Sequence, residues 1–457
     1  MFAQNRCHCV RSIGQARKAF ESIDRFLGLF VVVLCMVVSL TLRPASAQLA
    51  GGAARVDITP DVKAVKIPLG GYAARRGAAS TGVHDPVYAR ALVLSSGSTK
   101  VAIVSLDLCF APASIKTEVL KRLSAKAPGW GTGNLFLAAT HTHCGPDPLA
   151  MHSGNTFILK GWTPFDANLL TFTADHIASA ILQAEKALRP ASAAIGTVAA
   201  PALNRNRRGE NTTDPTLTLL KVTGADGKAI AAIVNYAAHP TLYDDKMMEV
   251  SADWPGVMAA EVEKTLGEGA VCLFLNGAEG DASPNGVDDK QGDEKITSYG
   301  RKVAAVVAAL LPTVRAETAP ALSVWLVEIE LPARKPNAMF IAAAGQLGAT
   351  FTQARQLVDT LMPKTTTITM VRVGDLLLVG MPCEPTAELG LQVKSMARKA
   401  GYTTPAVVAL TNDWLAYALM PEQYRKGNYE AMMSFYGDQF GLTLLHGVQT
   451  GLNAGKH

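Results

Sequence analysis

Hydrophobic residues along this chain come in short solid runs and in longer stretches spaced three or four apart, and the two kinds alternate. The runs at 87–94, 101–106, 135–139, 271–275 and 406–410 read as strands, the mostly apolar ones as strands buried on both faces. Helical spacing covers 114–126, 166–188, 253–266, 296–311, 338–361 and 385–400. Ser114 is a candidate N-cap, and Pro255 falls in a first turn, where proline is tolerated. Residues 53–60, 193–199 and 321–331 add strands. Two hairpins are expected, 216–222 with 229–236 across Ala225-Asp226-Gly227, and 367–373 with 376–379 across Gly374-Asp375. The succession 101–106, 114–126, 135–139 is one β-α-β unit. The fold class is therefore α/β, with mixed sheets flanked by helices, and no Pro/Ser-rich linker divides it.

The amino end departs from this pattern. Residues 26–42 are uncharged and apolar, follow Arg6, Arg11, Arg17, Lys18 and Arg25, and precede Ala45-Ser46-Ala47. That is the layout of an export signal cleaved after Ala47, with an uncleaved N-terminal anchor as the alternative. Residues 1–47 are thus set apart from a domain at 48–457. The leader carries six of the 43 Lys+Arg and two of the 38 Asp+Glu, leaving 37 against 36. A nearly neutral domain gives no reason to expect a nucleic-acid partner. Cys109, Cys144, Cys272 and Cys383 remain beyond the leader, too few for a disulfide scaffold. Cys144 and Cys383 are either buried fillers or a pair that meets at the site.

Four strand ends share a feature: an apolar run stops at a residue capable of chemistry. They are His141 and His143 after 135–139, His239 after 229–236, the loop from Asn276 after 271–275, and Glu384 after 376–379. Open α/β sheets place ligands at this carboxyl edge, and alternate residues of an extended chain share a face, which would put His141 and His143 together. Each residue alone is more often an ordinary hydrogen-bonded side chain. Together they supply the His/His/carboxylate set of a catalytic zinc site with open positions. The loop Gly280-Asp281-Ala282-Ser283-Pro284-Asn285 is not the G-x-S-x-G elbow, which disfavours an ordinary serine hydrolase.

At these residues, from about Ala54 to about Leu445, the chain resembles the neutral, non-lysosomal ceramidases. The resemblance runs through Asp57-Ile58-Thr59-Pro60, Gly71-Tyr72, Arg90-Ala91, Thr140-His141-Thr142-His143 with Gly145-Pro146, and Asn206-Arg207. It continues through Ala238-His239, Gly280 to Asn285, Pro382-Cys383-Glu384-Pro385-Thr386, and Tyr417 through Tyr429-Glu430-Ala431. It implies one zinc ion per chain held by His141, His239, Glu384 and Tyr429, with Tyr424 as competitor for the last place. It implies Ser283 as nucleophile, His143, Arg207 and Tyr417 around the scissile amide, and Asp281 in support. Family members usually carry a C-terminal immunoglobulin-like domain; none is expected here, since the sequence ends soon after Leu445. Cys144, Arg208-Gly209, Met420-Pro421 and Asp438 depart from the family pattern around the pocket.

The activity this implies is hydrolysis of the N-acyl amide of ceramide or a related N-acyl lipid, with possible membrane-surface contact. The alternatives are a metallohydrolase of another amide or ester, and a catalytically silent binding protein of the same fold. Met247, Met248, Met432, Met433, Phe435 and Phe440 could line an acyl channel, though core packing is the simpler reading of all six. The acidic stretch 288–294 reads as a solvated loop.

Overall fold

A computed structural model describes residues 48–156 and 161–455. The leader and its proposed cleavage site lie outside the described residues. The strands β1 (Ala50–Asp57), β2 (Tyr88–Ser96) and β3 (Thr99–Leu106) are antiparallel neighbours, and helix α1 (Ala113–Lys126) crosses over to β4 (Leu135–Ala139), parallel to β3. Helix α2 (Ala167–Lys186) leads to β5 (Arg189–Ala199), β6 (Thr216–Gly224) and β7 (Ala229–Tyr236). Helix α3 (Asp253–Leu266) then crosses to β8 (Val271–Asn276), parallel to β7, and α4 (Gly292–Leu310) follows. These strands form a nine-stranded sheet in the order β8-β7-β6-β5-β1-β2-β3-β4, with Ala316–Glu317 beside β5.

The remainder builds a second sheet. β9 (Leu322–Glu330) precedes two short helices, α5 (Ala338–Gln346) and α6 (Phe351–Leu361). β10 (Thr365–Val373) and β11 (Leu376–Gly380) follow, then α7 (Ala387–Lys399), β12 (Thr404–Val408) and α8 (Phe440–Ala454). The order is β9-β10-β11-β12, with β11 and β12 parallel across α7. The 338–361 stretch, expected as mostly helix, breaks at Leu347–Thr350, where Gly348 takes φ +93 and Thr350 caps the second helix. The sequence pattern does not announce helix α8. It buries Phe440, Leu444, Val448 and Leu452, one every fourth residue.

Period-two alternation sorts the buried side chains between an inner core and three helical layers. On β3, Val101 and Ile103 face the inner core while Ala102 and Val104 face α1 and α2. On β8, Leu273 and Leu275 point inward and Cys272 and Phe274 meet α3 and α4. On β11, Leu376 and Leu378 point inward and Leu377 and Val379 meet α7 and α8. Three β-α-β units thus surround one core: β3-α1-β4, β7-α3-β8 and β11-α7-β12. Ser105 Oγ on β3 donates to the Phe274 carbonyl on β8 (2.6 Å), and Asn235 Nδ2 on β7 donates to the Val407 carbonyl on β12 (2.8 Å). The carboxyl ends of the parallel pairs are therefore held near one another.

Candidate metal centre

The strand ends named from sequence meet at one point. His141 Nε2 lies 3.1 Å from His239 Nε2 and 3.1 Å from Glu384 Oε2, and His239 Nε2 lies 3.5 Å from the same oxygen. All three residues are buried. Donors about 2.0–2.1 Å from a tetrahedral ion sit about 3.3 Å from one another, so these spacings fit donors sharing one cation. His141 Nδ1–H donates to the Cys109 carbonyl (2.6 Å) and His239 Nδ1–H to the Glu279 carbonyl (2.7 Å). A carbonyl can only accept, so the Nδ1 protons are fixed and each imidazole, once neutral, presents its Nε2 lone pair to the centre. Glu384 repeats the arrangement: the Trp414 indole N–H donates to Oε1 (3.0 Å), while Oε2 has no hydrogen-bond partner. Every donor is oriented through its far side, as metal ligands are.

Local backbone explains how they arrive. His141 and His143 do not meet by strand alternation, since β4 ends at Ala139 and His141 has φ +76. This left-handed residue turns the chain so that His143 Nε2 comes 3.5 Å from His141 Nε2. Gly71, at φ +91, lies flat against the His143 ring, where a Cβ would fall 2.3 Å from Cγ. Burial disfavours charge on His141, but the Glu384 carboxylate outweighs it and holds that imidazole well above its usual range. Glu384 itself sits well below the usual range: burial opposes its charge, and His141 and His239 overcome it. Burial, with Arg207 nearby, pushes His239 down to about 3.

The two tyrosines stand at different distances from the donors. Tyr417 pairs with Glu384 in a short parallel ladder, and its hydroxyl lies 3.2 Å from His239 Nε2. An Arg207 N–H donates to that hydroxyl (3.1 Å). Tyr429 stands outside, its ring centroid 5.6 Å from that of Tyr417, and is 50% exposed. The geometry thus brings Tyr417, not Tyr429, to the donor cluster. Tyr424 packs beside Tyr417, Leu419 and Ala431 rather than at the cluster. Arg207 is also bound to Glu430 (2.8 Å) and the Gly280 carbonyl (2.8 Å).

Asp281 acts as a tie: it accepts from the Ala387 amide (2.7 Å) at the start of α7 and from Asn206 Nδ2 (2.9 Å), and burial pushes its carboxyl up to about 6. Ser283 lies opposite Arg205 in a three-residue ladder, one position after Ala282, whose carbonyl accepts the His239 amide (2.9 Å). Its hydroxyl makes no hydrogen bond among the described residues. A cleft of 730 Å³ opens above, bordered by His143, Tyr417, Arg207 and Tyr429 and walled by Tyr72, Tyr243, Asp244 and Asp245. None of the six acyl-channel candidates lines it; Phe435 and Phe440 are core. The four cysteines are buried and free, which makes Cys144 and Cys383 fillers rather than a pair. Within 288–294, Asp293 accepts the Tyr243 hydroxyl (2.6 Å) and α4 begins at Gly292.

Four contributors escape a reading of the sequence. Cys109 and Trp414 orient ligands from behind, and the Cys109 thiol is 3.7 Å from His141 Nδ1. Cys109 also follows an apolar strand, so the strand-end rule could have found it. Glu279 is fully buried with both carboxyl oxygens unpartnered, and burial raises its carboxyl well above the usual range. Arg75 is a buried cation whose N–H groups reach the carbonyls of Gly70 (2.8 Å), His143 and Met247 (2.8 Å).

Comparison with known proteins agrees with this architecture. Residues 50–297 match the family described as neutral/alkaline non-lysosomal ceramidase, N-terminal. Over 58% of its length the chain is 26% identical to a neutral ceramidase of Pseudomonas aeruginosa, and the match spans 41% of that relative. It is 24% identical to a neutral ceramidase of Drosophila melanogaster, over 90% of this chain and 74% of the relative. The crystal structure of the P. aeruginosa neutral ceramidase superposes on 89% of this chain and 75% of its own, with a TM-score of 0.77 at 21% identity, a likeness of fold.

Proposed function

The chain belongs to the neutral/alkaline non-lysosomal ceramidase family, and we propose that it is an exported, zinc-dependent amidohydrolase cleaving the N-acyl bond of ceramide or a related N-acyl lipid to a fatty acid and an amine. The observation that carries the reading is the convergence of two bare imidazole nitrogens and one unpartnered carboxylate oxygen within 3.1–3.5 Å. Bound there, zinc would polarise the amide carbonyl and lower the pKa of a hydroxyl that meets it.

His141, His239 and Glu384 would hold the ion, and Tyr417, rather than Tyr429, would be the fourth donor. Burial and the Glu384 carboxylate hold the Tyr417 hydroxyl well above its usual range, with the Arg207 guanidinium opposing them, so the phenolate that such a role requires would depend on the ion. Ser283 attacks the carbonyl carbon directly, its hydroxyl having no hydrogen bond to break first. The Oγ proton would pass to His143, whose imidazole is kept uncharged by burial and by His141, and from there to the departing amine. Water then cleaves the acyl ester. Arg207 and the loop amides stabilise the oxyanion, and Asp281 keeps the Ser283 loop against α7.

The test measures bound zinc and turnover of a fluorescent N-acyl-sphingosine beside short-chain amides and esters. Ser283→Ala should retain zinc and lose turnover by about a thousandfold or more; full activity removes the nucleophile assignment. Tyr417→Phe should weaken zinc binding while Tyr429→Phe leaves it unchanged, and the reverse order restores Tyr429 as the ligand. A second reading, hydrolysis of a smaller polar amide, is favoured by the tyrosine and aspartate walls of the cleft. Release from short substrates alone would select it.

A further inference from the structure

We propose that His84 is a positioning residue for substrate entry, an imidazolium that bridges Asp85 and Asp293 and sets the spacing between two walls of the cleft; this rests on the reading that the cleft admits the amide substrate. One wall is the loop carrying Tyr243, Asp244 and Asp245. The other is the start of α4, where Gln291 and Gly292 line the opening. The Tyr243 hydroxyl joins the two by donating to Asp293 Oδ1 (2.6 Å).

His84 meets both partners of that bond. Its Nε2 lies 3.3 Å from Asp293 Oδ2 and 3.5 Å from the Tyr243 oxygen, and its ring stands edge-on to the tyrosine, centroids 5.7 Å apart. Its Nδ1 lies 2.9 Å from Asp85 Oδ2. Asp85 is fixed in turn, accepting from Ser251 Oγ and from the Ala252 amide (2.9 Å), while the His84 amide donates to the Val250 carbonyl (2.9 Å). A carboxylate only accepts, and the Tyr243 hydroxyl has already given its one proton to Asp293. Both ring nitrogens therefore face acceptors, and both must carry protons for the two contacts to attract. A neutral ring satisfies one side and turns a bare nitrogen to the other.

The groups around the ring favour its charge. They are Asp85 beside it in the chain, Asp293 on α4, Tyr243 on the loop after β7, and Glu249, whose carboxyl lies against Gly82 on the strand paired with its own. The Asp85 hydrogen bond, helped by Asp293, raises the imidazole above its usual range against the opposing effect of burial. Contacts from Tyr243 and His84 hold the Asp293 carboxyl below its usual range. The clasp is thus closed below the raised His84 pKa and opens as pH rises through it. Water screens it, since the side chains of His84 and Asp293 are 34% and 70% exposed, so opening loosens the walls rather than the fold. The foot of the Tyr243 wall stays anchored, because the Tyr72 hydroxyl donates to the Tyr243 carbonyl (2.7 Å). The walls border the metal donors without supplying one, so the effect belongs in KM.

The experiment compares the full chain with His84→Gln and His84→Arg from about pH 6 to about pH 9, a range that spans a raised histidine. Amide hydrogen exchange in 241–245 and 289–295, parent against variant at each pH, reads the walls without any substrate. KM and kcat for a soluble short-chain amide read entry. At the acid end His84→Gln should exchange faster in both segments and raise KM about three- to fivefold, the range of a screened ion pair, with kcat and bound zinc unchanged. At the alkaline end the parent should match it. His84→Arg keeps a permanent charge and a fork of donors, and should hold the low KM throughout. Equal exchange and equal KM in parent and His84→Gln at the acid end overturn the proposal. A difference that persists undiminished to the alkaline end also overturns it, because packing rather than charge would then hold the walls. Loss of zinc in His84→Gln does the same. Exchange that follows the expected course while no amide is cleaved in any form leaves the clasp standing and removes the amidase reading instead.

Discussion

On one side of the metal donors, buried charge meets charge; on the other, buried charge meets mainly backbone. The Tyr417 side is built on Glu430, which accepts from Arg207 Nε and from an Arg208 N–H, both at 2.8 Å. Behind His143 stand Arg75 and Asp253, both buried and neither in a salt bridge among the described residues. Arg75 is satisfied by carbonyls of three loops, Asp253 by the amides of Tyr243 and Trp254. Side-chain pairs fix two side chains to each other and leave a buried charge stranded when one is removed. A charge held by peptide groups instead fixes the path of the loops that carry them, and loses less when its charge changes. The two sides therefore divide the labour, one orienting Tyr417 and the other shaping the loops that hold His143.

The largest effect should follow from emptying the paired side. Glu430→Ala takes a carboxylate from two guanidiniums, Arg208 with 1% side-chain exposure, which keeps Glu210, and Arg207 with 24%, which keeps the Tyr417 hydroxyl and the Gly280 carbonyl. A loss of about 3–5 kcal/mol in stability is expected, measured by chemical denaturation. Glu430→Gln, which keeps the shape, should cost clearly less. Equal losses in the two variants would mean that packing, not charge pairing, holds this side together.

Removing the fork at Arg75 should have an intermediate effect. Lysine keeps the charge but cannot reach Gly70, His143 and Met247 together. Arg75→Lys is expected to lose about 1–3 kcal/mol, to retain bound zinc, and to lower kcat more than it raises KM, because His143 shifts while the donors stay. Loss of zinc in this variant would show that the two sides are one unit.

Where contacts are local the chain is readable. Strands 135–139 and 229–236 and helix 253–266 end where the sequence places them. Helix α8 is hidden by Gly441, Gly447 and Gly451, which lower helix propensity yet allow contact with Leu419, Ile329 and Met370. Two long-range features lie beyond sequence reading. The ladder between Glu384 and Tyr417 decides which tyrosine reaches the donors, and a spacing of twelve residues fits either assignment. The roles of Cys109 and Trp414 come from touching the far side of a ligand brought from elsewhere in the chain. His141, His239 and Glu384 are legible because each follows the end of a strand, and the three parallel pairs bring those ends together.

The smallest effect, and the sharpest on the backbone-held side, concerns Asp253. Burial pushes its carboxyl up to about 7, with the Trp254 and Tyr243 amides opposing and Asp85 adding to the rise. Unfolded, the same group titrates near 3.9, so between about pH 4 and pH 7 the folded chain holds a proton that the unfolded chain has released. Stability attributable to this residue must then fall as pH rises through that window, by roughly 1.4 kcal/mol for each unit of displacement. An asparagine at this position would keep an oxygen to accept one amide and would tolerate φ +54, a left-handed angle that asparagine adopts more readily than most residues. Asp253→Asn should therefore sit close to the parent in Tm near pH 4.5 and rise above it as pH approaches 8, levelling once the folded group has ionised. Arg75 gains nothing from this change, since Asp253 is not among its hydrogen-bond partners, so zinc content and turnover should stay level across the same range. A Tm gap that does not vary with pH would mean that Asp253 is charged in the fold throughout, and that the two sides of the site handle buried charge alike.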